Sequence, residues 1–455
     1  MKLTDKKVLW VDCGLFCDFA AHVAPQFGES YYFTPWVSGF PKSTNVLPGE
    51  GLDGLTRVKF PWDLVDQVDL FIFPDVYFAD WQAHLAKLGK RVWGARHGDG
   101  LELYRWETKQ LLMELGLPVA PTVRLVGVQA LRDYLKEHEG VWVKVSTMRG
   151  DFETFKSESY ELAEPQLDDL EHKLGARKLI EEFIVENEIR SEDGPTVEIG
   201  YDGWCIDGQF PATASYGIEV KDMGYIGAVA KYRDFPAQLI EVNDALIPFF
   251  KKHTYRGFFS SELRITPDGL PYLIDPCARC GSPPSEVYQC LFENWAEIFW
   301  GGAGGTIVEP EPLAKFAVEA MIHSAWADQQ FQAVHFPEAV REWVKLRNHC
   351  RIEGTDYVVP TATGLPEIGA VVGVGDTLSE AIAHCAKNAS LIKGYTLECK
   401  MDSIGQALDQ IRDAHEIGIN FPVGELPTPE ELKELITVDE VPLEMATSKD
   451  GESVN

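Results

Sequence analysis

Gly257-Phe-Phe-Ser-Ser-Glu262-Leu-Arg-Ile-Thr-Pro-Asp-Gly269-Leu-Pro-Tyr-Leu-Ile-Asp275-Pro-Cys-Ala-Arg279-Cys-Gly-Ser-Pro283 is the stretch on which the fold turns. Two short apolar strands meet at Pro267-Asp-Gly, where proline presets φ and glycine accepts a positive one. That hairpin sets Glu262 and Asp275 on adjacent strands. Two carboxylates held side by side repel unless they share a proton or a cation. Oxygen donors beside a triphosphate select Mg2+, which keeps waters and bridges protein to phosphate. Glu262 and Asp275 are therefore the metal-ligand candidates, and Arg279 could balance charge on a transferred phosphoryl group. A plain hairpin with solvated acids is the competing reading.

Upstream, Val141-Trp-Val-Lys144-Val is an apolar strand holding one lysine. Such a lysine is costly unless its ammonium faces an anion or a cleft. Arg149-Gly150 follows as a turn whose amides could approach a phosphate. Taken alone, Lys144 also fits the solvent face of a strand. Leu179-Ile-Glu181-Glu182-Phe183-Ile184 is an apolar strand that stops at paired carboxylates. A strand edge leaving a pocket can offer backbone groups to an adenine, with a carboxylate for the exocyclic amine or the ribose hydroxyls. Solvated acids at a strand end are the alternative, as is an outward-facing Glu198 in the hairpin Val197-Glu-Ile-Gly-Tyr-Asp-Gly203. Cys277-x-x-Cys280 has no second ligand pair, so it reads as two thiols in a loop rather than a zinc site. His97 and Asp99 form either an acid–base pair or a helix cap.

Short apolar runs at 7–11, 70–74 and 91–94, with helical periodicity at 81–88, predict a parallel sheet with helices on its faces. The turn Asp12-Cys-Gly after the first strand lacks Gly-x-Gly-x-x-Gly, so a dinucleotide site there has little support. A helix over 102–115 leads into a strand-rich region up to about 272, and after about 309 strands and helices alternate again. Residues 424–455 carry nine acidic and two basic side chains with three prolines, a solvated tail with one short helix at Pro429–Ile436.

The 455 residues suggest roughly three domains at about 150 residues each. Lys plus Arg total 41 against 71 acids, a net charge of −30 that repels phosphate backbones and argues against a nucleic-acid binder. No apolar run approaches the roughly 20 residues that span a bilayer, and the start reads as a strand rather than a signal peptide. Nine scattered cysteines imply reduced thiols and a cytoplasmic setting.

The order of these features resembles the ATP-grasp superfamily: a basic residue before a helix, a strand lysine, a Glu-Glu-Phe hinge, a glutamate hairpin, then Glu and Asp. Within it the sequence is most similar to the carboxylate–amine ligases around glycinamide ribonucleotide synthetase (phosphoribosylamine–glycine ligase), from about Glu102 to Pro284. The resemblance implies a mixed α/β and α+β architecture. A Rossmann-like parallel α/β domain at 1–97 precedes an ATP-grasp domain at 98–308, whose small sub-domain covers about 120–190. A small C-terminal α+β domain follows at 309–423, then the acidic tail at 424–455.

It also implies roles. Arg105, eleven positions before Gly116, and Lys144 would bind ATP phosphates, with Arg149 and Gly150 in the flexible loop. Glu181 with the backbone of Glu182 and Ile184 would hold adenine; Glu198, or its rival Glu188, would hold ribose. Glu262 and Asp275 would bind Mg2+, with Arg279 just beyond, and Lys221 would contact a substrate carboxylate or acyl phosphate. The family's Glu-x-Asn at the second metal position is Asp275-Pro-Cys277 here, and a thiol is a poor Mg2+ ligand. The implied reaction is ATP- and Mg2+-dependent joining of a small carboxylate to a small amine through an acyl phosphate, with homodimer formation left open. A small-molecule kinase on the same fold and a nucleotide-binding regulatory protein with a degraded metal site are the alternatives.

Overall fold

The computed structural model describes residues 3–35, 47–146, 154–360 and 366–437. Leu3–Val11 (β1), Phe27–Phe33 (β2), Leu55–Arg57 (β3), Leu70–Ile72 (β4) and Arg91–Trp93 (β5) form a parallel sheet in the order β3-β2-β1-β4-β5. The strand order reverses between β1 and β4, as in doubly wound folds. β2 and β3 lie outside the expected set because Phe-Gly-Glu-Ser-Tyr-Tyr-Phe and Leu-Thr-Arg lack an apolar run.

The small sub-domain is an antiparallel sheet of Thr122–Val126 (β6), Val141–Val145 (β7), Thr154–Ser157 (β8) and Glu182–Asn187 (β9), in the order β6-β9-β7-β8. Successive strand residues point to opposite faces. Val141, Val143 and Val145 of β7 therefore bury against Leu131, Leu135, Leu167 and Leu170 of two covering helices. Trp142 and Lys144 face the other way. Leucines at 167, 170 and 174 line one side of the helix Tyr160–Leu174, which Ser159 caps through the Leu162 amide.

The large sheet begins with Val197–Ile206 (β10), Thr213–Val220 (β11), Gly224–Lys231 (β12), Arg256–Ile265 (β13) and Pro271–Cys277 (β14). The C-terminal part adds Phe316–His323 (β15), Gln332–Val334 (β16), Val344–Leu346 (β17), His349–Ile352 (β18), Thr355–Val358 (β19), Glu367–Gly375 (β20) and Glu398–Cys399 (β21). β16, β19 and β18 make a separate three-stranded sheet, whereas β15 pairs with β12 and extends the large sheet to nine strands, β14-β13-β10-β11-β12-β15-β20-β17 with β21 beside β15. The expected boundary at 308/309 therefore does not divide this sheet. Helices Leu378–Ser390 and Ser403–Glu416 cover its apolar face through Ile382, Ile404, Leu408 and Ile411. The other face is polar along Glu198, Asp202, Ser260 and Glu262, while Trp204, Ile206 and Phe258 farther along it join a second apolar cluster.

Arginines tie the N-terminal sheet to the rest by capping helix ends. Arg91 donates to Trp300 O at 2.9 Å and Arg96 to Thr254 O, while Arg256 on β13 caps the same helix end as Arg91 through Ala303 O at 3.1 Å. Cations at helix C-termini satisfy the last carbonyls and oppose the helix dipole. The helix Pro429–Ile436 forms as expected, capped by Thr428 and Glu431, and the tail after residue 437 lies outside the described residues.

Candidate functional site

A cleft of about 220 Å³ opens where the small sheet faces the polar side of the large one. Its two walls carry opposite charge.

The first wall comes from β7 and the end of β9, and the helix Arg105–Glu114 stands behind it. Lys144 points from β7 into the cleft, donates to Ile274 O at 2.5 Å and lies 3.5 Å from Glu186. Lys109, one helical turn after Arg105 and on the same face, meets the other Glu186 oxygen at 2.5 Å. Burial opposes ionisation of Glu186, but Lys144 and Lys109 outweigh it and bring the carboxyl down to about 2. Arg105 is buried at the helix start, 3.6 Å from Asp275.

The second wall is the polar face of the large sheet. Glu262 and Asp275 are direct partners across β13 and β14, and both line the cleft. Burial, Glu198 and Asp275 together push the Glu262 carboxyl well above the carboxylate range. Asp275 moves the other way: burial opposes ionisation, yet Arg105, Lys144, Arg279 and Lys221 hold it low. Asp275 is thus held ionised while its neighbour Glu262 resists ionising, as two acids crowded together do. Hard oxygen donors of this kind suit Mg2+. Cys277 lines the same cleft, and burial keeps its thiol protonated, so the oxygen donors would carry the metal.

Glu102 fixes Arg279, accepting from its Nε at 2.8 Å while its other oxygen accepts the Ala278 amide at 2.8 Å. Lys221 lies on the rim in the turn after β11, and Glu198 lines the cleft paired with Arg264.

The adenine-hinge expectation needs correction. Leu179 and Ile180, read as strand, are 73% and 74% exposed at the end of a 3-10 turn, and β9 starts only at Glu182. Glu181 is bound to Arg177 at 2.8 Å, Glu182 to Arg124, and Ile184 is buried within the sheet. None of the three lines the cleft. Glu186, Asn187 and Ile189, where the chain leaves β9, do so instead. Glu188 pairs with Lys156 at 3.1 Å and is not in the lining. Arg149 and Gly150 lie outside the described residues.

Other candidates sit elsewhere. His97 faces Asp80 at 3.8 Å, and burial pushes Asp99 up to about 6. Neither lines the cleft. Asp12, Cys13 and Asp75, at the ends of β1 and β4, bring ligand atoms within 4.8 Å of one another, the one such group of three among the described residues. Internal bonds already engage it: Asp12 accepts the Cys13 and Phe16 amides at 2.6 and 2.8 Å, and the Cys13 thiol donates to Asp75 at 2.6 Å. All nine cysteines are free thiols.

Solved structures share this architecture. Phosphoribosylamine–glycine ligase from Thermotoga maritima is 17% identical, with a TM-score of 0.64 over 87% of this chain and 99% of that one. The biotin carboxylase domain of 2-oxoglutarate carboxylase from Hydrogenobacter thermophilus, a dimer solved with MgADP, ADP and bicarbonate, is 13% identical, with a TM-score of 0.61 over 96% and 99%. The chain has the ATP-grasp fold. An L-amino acid ligase from Bacillus licheniformis shares that fold at 16% identity, with a TM-score of 0.56 over 86% and 98%. No family model and no curated protein matches the sequence. Among the described residues no helix is long and apolar enough to cross a membrane.

Several residues in and behind the cleft escape sequence reasoning. Lys109 carries a signal, its spacing of four from Arg105 on one helix. Glu186 looks like one acid among many in Val-Glu-Asn-Glu. Asp202 alternates with apolar neighbours and reads as an ordinary strand residue.

Proposed function

We propose that the protein is an ATP-dependent ligase that joins a small carboxylate to a small amine, releasing ADP and phosphate. One observation carries this reading: Lys144 from the small sheet and Glu262 and Asp275 from the large one line a single cleft, with Arg105 buried behind the lining 3.6 Å from Asp275. The ATP-grasp fold supports it, since solved chains of that fold include ligases by name.

In this reading Arg105 and Lys144 neutralise the phosphates of ATP. Glu262 and Asp275 would hold Mg2+, which supplies charge stabilisation on the phosphate oxygens. Glu186, Asn187 and Ile189 border the nucleotide where β9 ends. The substrate carboxylate attacks the γ-phosphorus to give an acyl phosphate and ADP; the amine nitrogen then forms the C–N bond as phosphate leaves. Arg279, held by Glu102, faces the transferred group, and Lys221 on the rim meets the carboxylate. Positioning and charge do most of this work, because phosphoryl transfer asks for little covalent help.

ADP release against pooled carboxylates and amines tests the proposal. A ligase turns over only with both partners present. Turnover with one partner would identify a kinase, and release at background with every pair would leave a nucleotide-binding protein.

A further inference from the structure

A second cavity, of about 630 Å³, lies outside the ATP-grasp cleft and shares no lining residue with it. It opens where the N-terminal sheet meets the β13 side of the large one. Residues 89–97, which run through β5, supply Lys90, Arg91, Arg96 and His97. The end of the helix Ile247–His253 and the start of β13 supply Lys252, His253 and Arg256. Among the described residues no acid joins them in the lining. The two segments pack closely: Gly94 bridges to Arg256, and a Cβ on Gly98 would fall 3.6 Å from that of His253.

In a chain whose acids outnumber Lys and Arg by 71 to 41, seven basic side chains around one cavity need a reason. Helix capping supplies part of it. Arg91 stacks on the Trp300 ring and gives one nitrogen to Trp300 O at 2.9 Å, and Arg96 gives its two terminal nitrogens to Thr254 O and Val92 O. Arg256 is held by Asp207 at 2.7 Å, and His97 faces Asp80 at 3.8 Å. Lys90 and Lys252 have no such task. Among the described residues no hydrogen bond or ion pair reaches either ammonium, and neither Arg91 nor Arg96 has a carboxylate partner. Gly304 in the lining leaves room for the Arg91 guanidinium, since a Cβ there would fall 2.1 Å from it. The basic groups also press on one another. Burial and Arg256 bring Arg96 down to about 10 against the pull of Asp207, and burial, Lys252 and His97 bring His253 down.

We propose that this basic cavity is a second ligand site, for a small anion carrying several negative charges on phosphate or carboxylate groups. It does not depend on the ligase reading. Such an anion engages Lys90, Lys252 and the remaining N–H groups of Arg91, and each further charge on it meets another cation. The net charge of −30 repels anions at long range, so a ligand binds by reaching the cavity's own cations. Because its two basic segments belong to different sheets, an occupied cavity clamps the N-terminal sheet to the large one.

Calorimetric titration of the full chain with tripolyphosphate and with citrate, without added metal, tests the site. It is run at about 0.15 M salt, where exposed charges beyond about 8 Å are screened. At least one probe is expected to bind, and which one does tells phosphate from carboxylate recognition. Joint replacement Lys90→Gln and Lys252→Gln should weaken that binding at least about tenfold, the scale of one charge-assisted hydrogen bond. Lys144→Ala, which weakens anions in the cleft, should leave it in place. A melting temperature within about 2 °C of wild type certifies the fold of the lysine pair variant, and Lys252→Gln alone replaces it if that check fails. Absence of binding by both probes overturns the proposal. So does undiminished binding by the lysine pair variant, or binding that Lys144→Ala abolishes, which would place the anion in the cleft.

Discussion

Where the helix Arg105–Glu114 backs the small sheet, Glu186 lies between Lys109 and Lys144 at 2.5 and 3.5 Å and is ionised far below the usual range. On the facing sheet, Glu219 and Glu262 meet mainly other acids and are pushed the opposite way. Both walls bury charge. The first balances it within the chain, so its ion pairs set side-chain positions before any ligand arrives. The second sets Glu219 and Glu262 mainly against other acids, and natural proteins keep such local conflicts where a ligand resolves them.

The contrast can be broken at either wall. Asp275→Asn removes the ionised member of the metal pair and should lower Mg2+-dependent ADP release by about a thousandfold, the scale of losing a group that stabilises transition-state charge. Wild-type rates in that variant would reject the paired-carboxylate site. Lys144→Ala should weaken ATP about 50-fold, corresponding to a charged hydrogen bond of about 2–3 kcal/mol, and unchanged affinity by titration would remove Lys144 from the site. Glu186→Gln strands two buried lysines and should cost about 3 kcal/mol in chemical denaturation. A loss below about 0.5 kcal/mol, typical of a surface change, would deny that the pairs brace the wall.

The smallest effect sharpens the comparison through pH. Glu186 has a folded value below its unfolded 4.5, so its contribution to stability is complete above 4.5 and is lost as pH falls through about 2. Glu262 has a folded value above 4.5, so it destabilises the empty cleft increasingly as pH rises past that value. Glu262→Gln should therefore raise the melting temperature more at about pH 8 than at about pH 5. Equal gains at both would show that Glu262 is not a strained acid.

Much of this was legible in the sequence, because hairpins and apolar runs are local. Glu262 and Asp275 follow from one turn, Pro267-Asp-Gly, and Lys144 from its position in a valine strand. The hinge was not legible. Leu179 and Ile180 have strand-like composition but end a turn in solvent, and only the pairing of Val141 with Asn187 shows that β9 runs on to residue 187. Nor was the extent of the large sheet, since the β12–β15 pairing joins residues far apart in the chain. Glu219 and Tyr225 come to line the cleft only when three strands lie side by side.

A structure determined with Mg2+ and a non-hydrolysable ATP analogue tests the central claim most directly. The account predicts the triphosphate between Arg105 and Lys144 on one side and a magnesium ion held by Glu262 and Asp275 on the other. A nucleotide bound elsewhere, or a metal touching neither carboxylate, would contradict it.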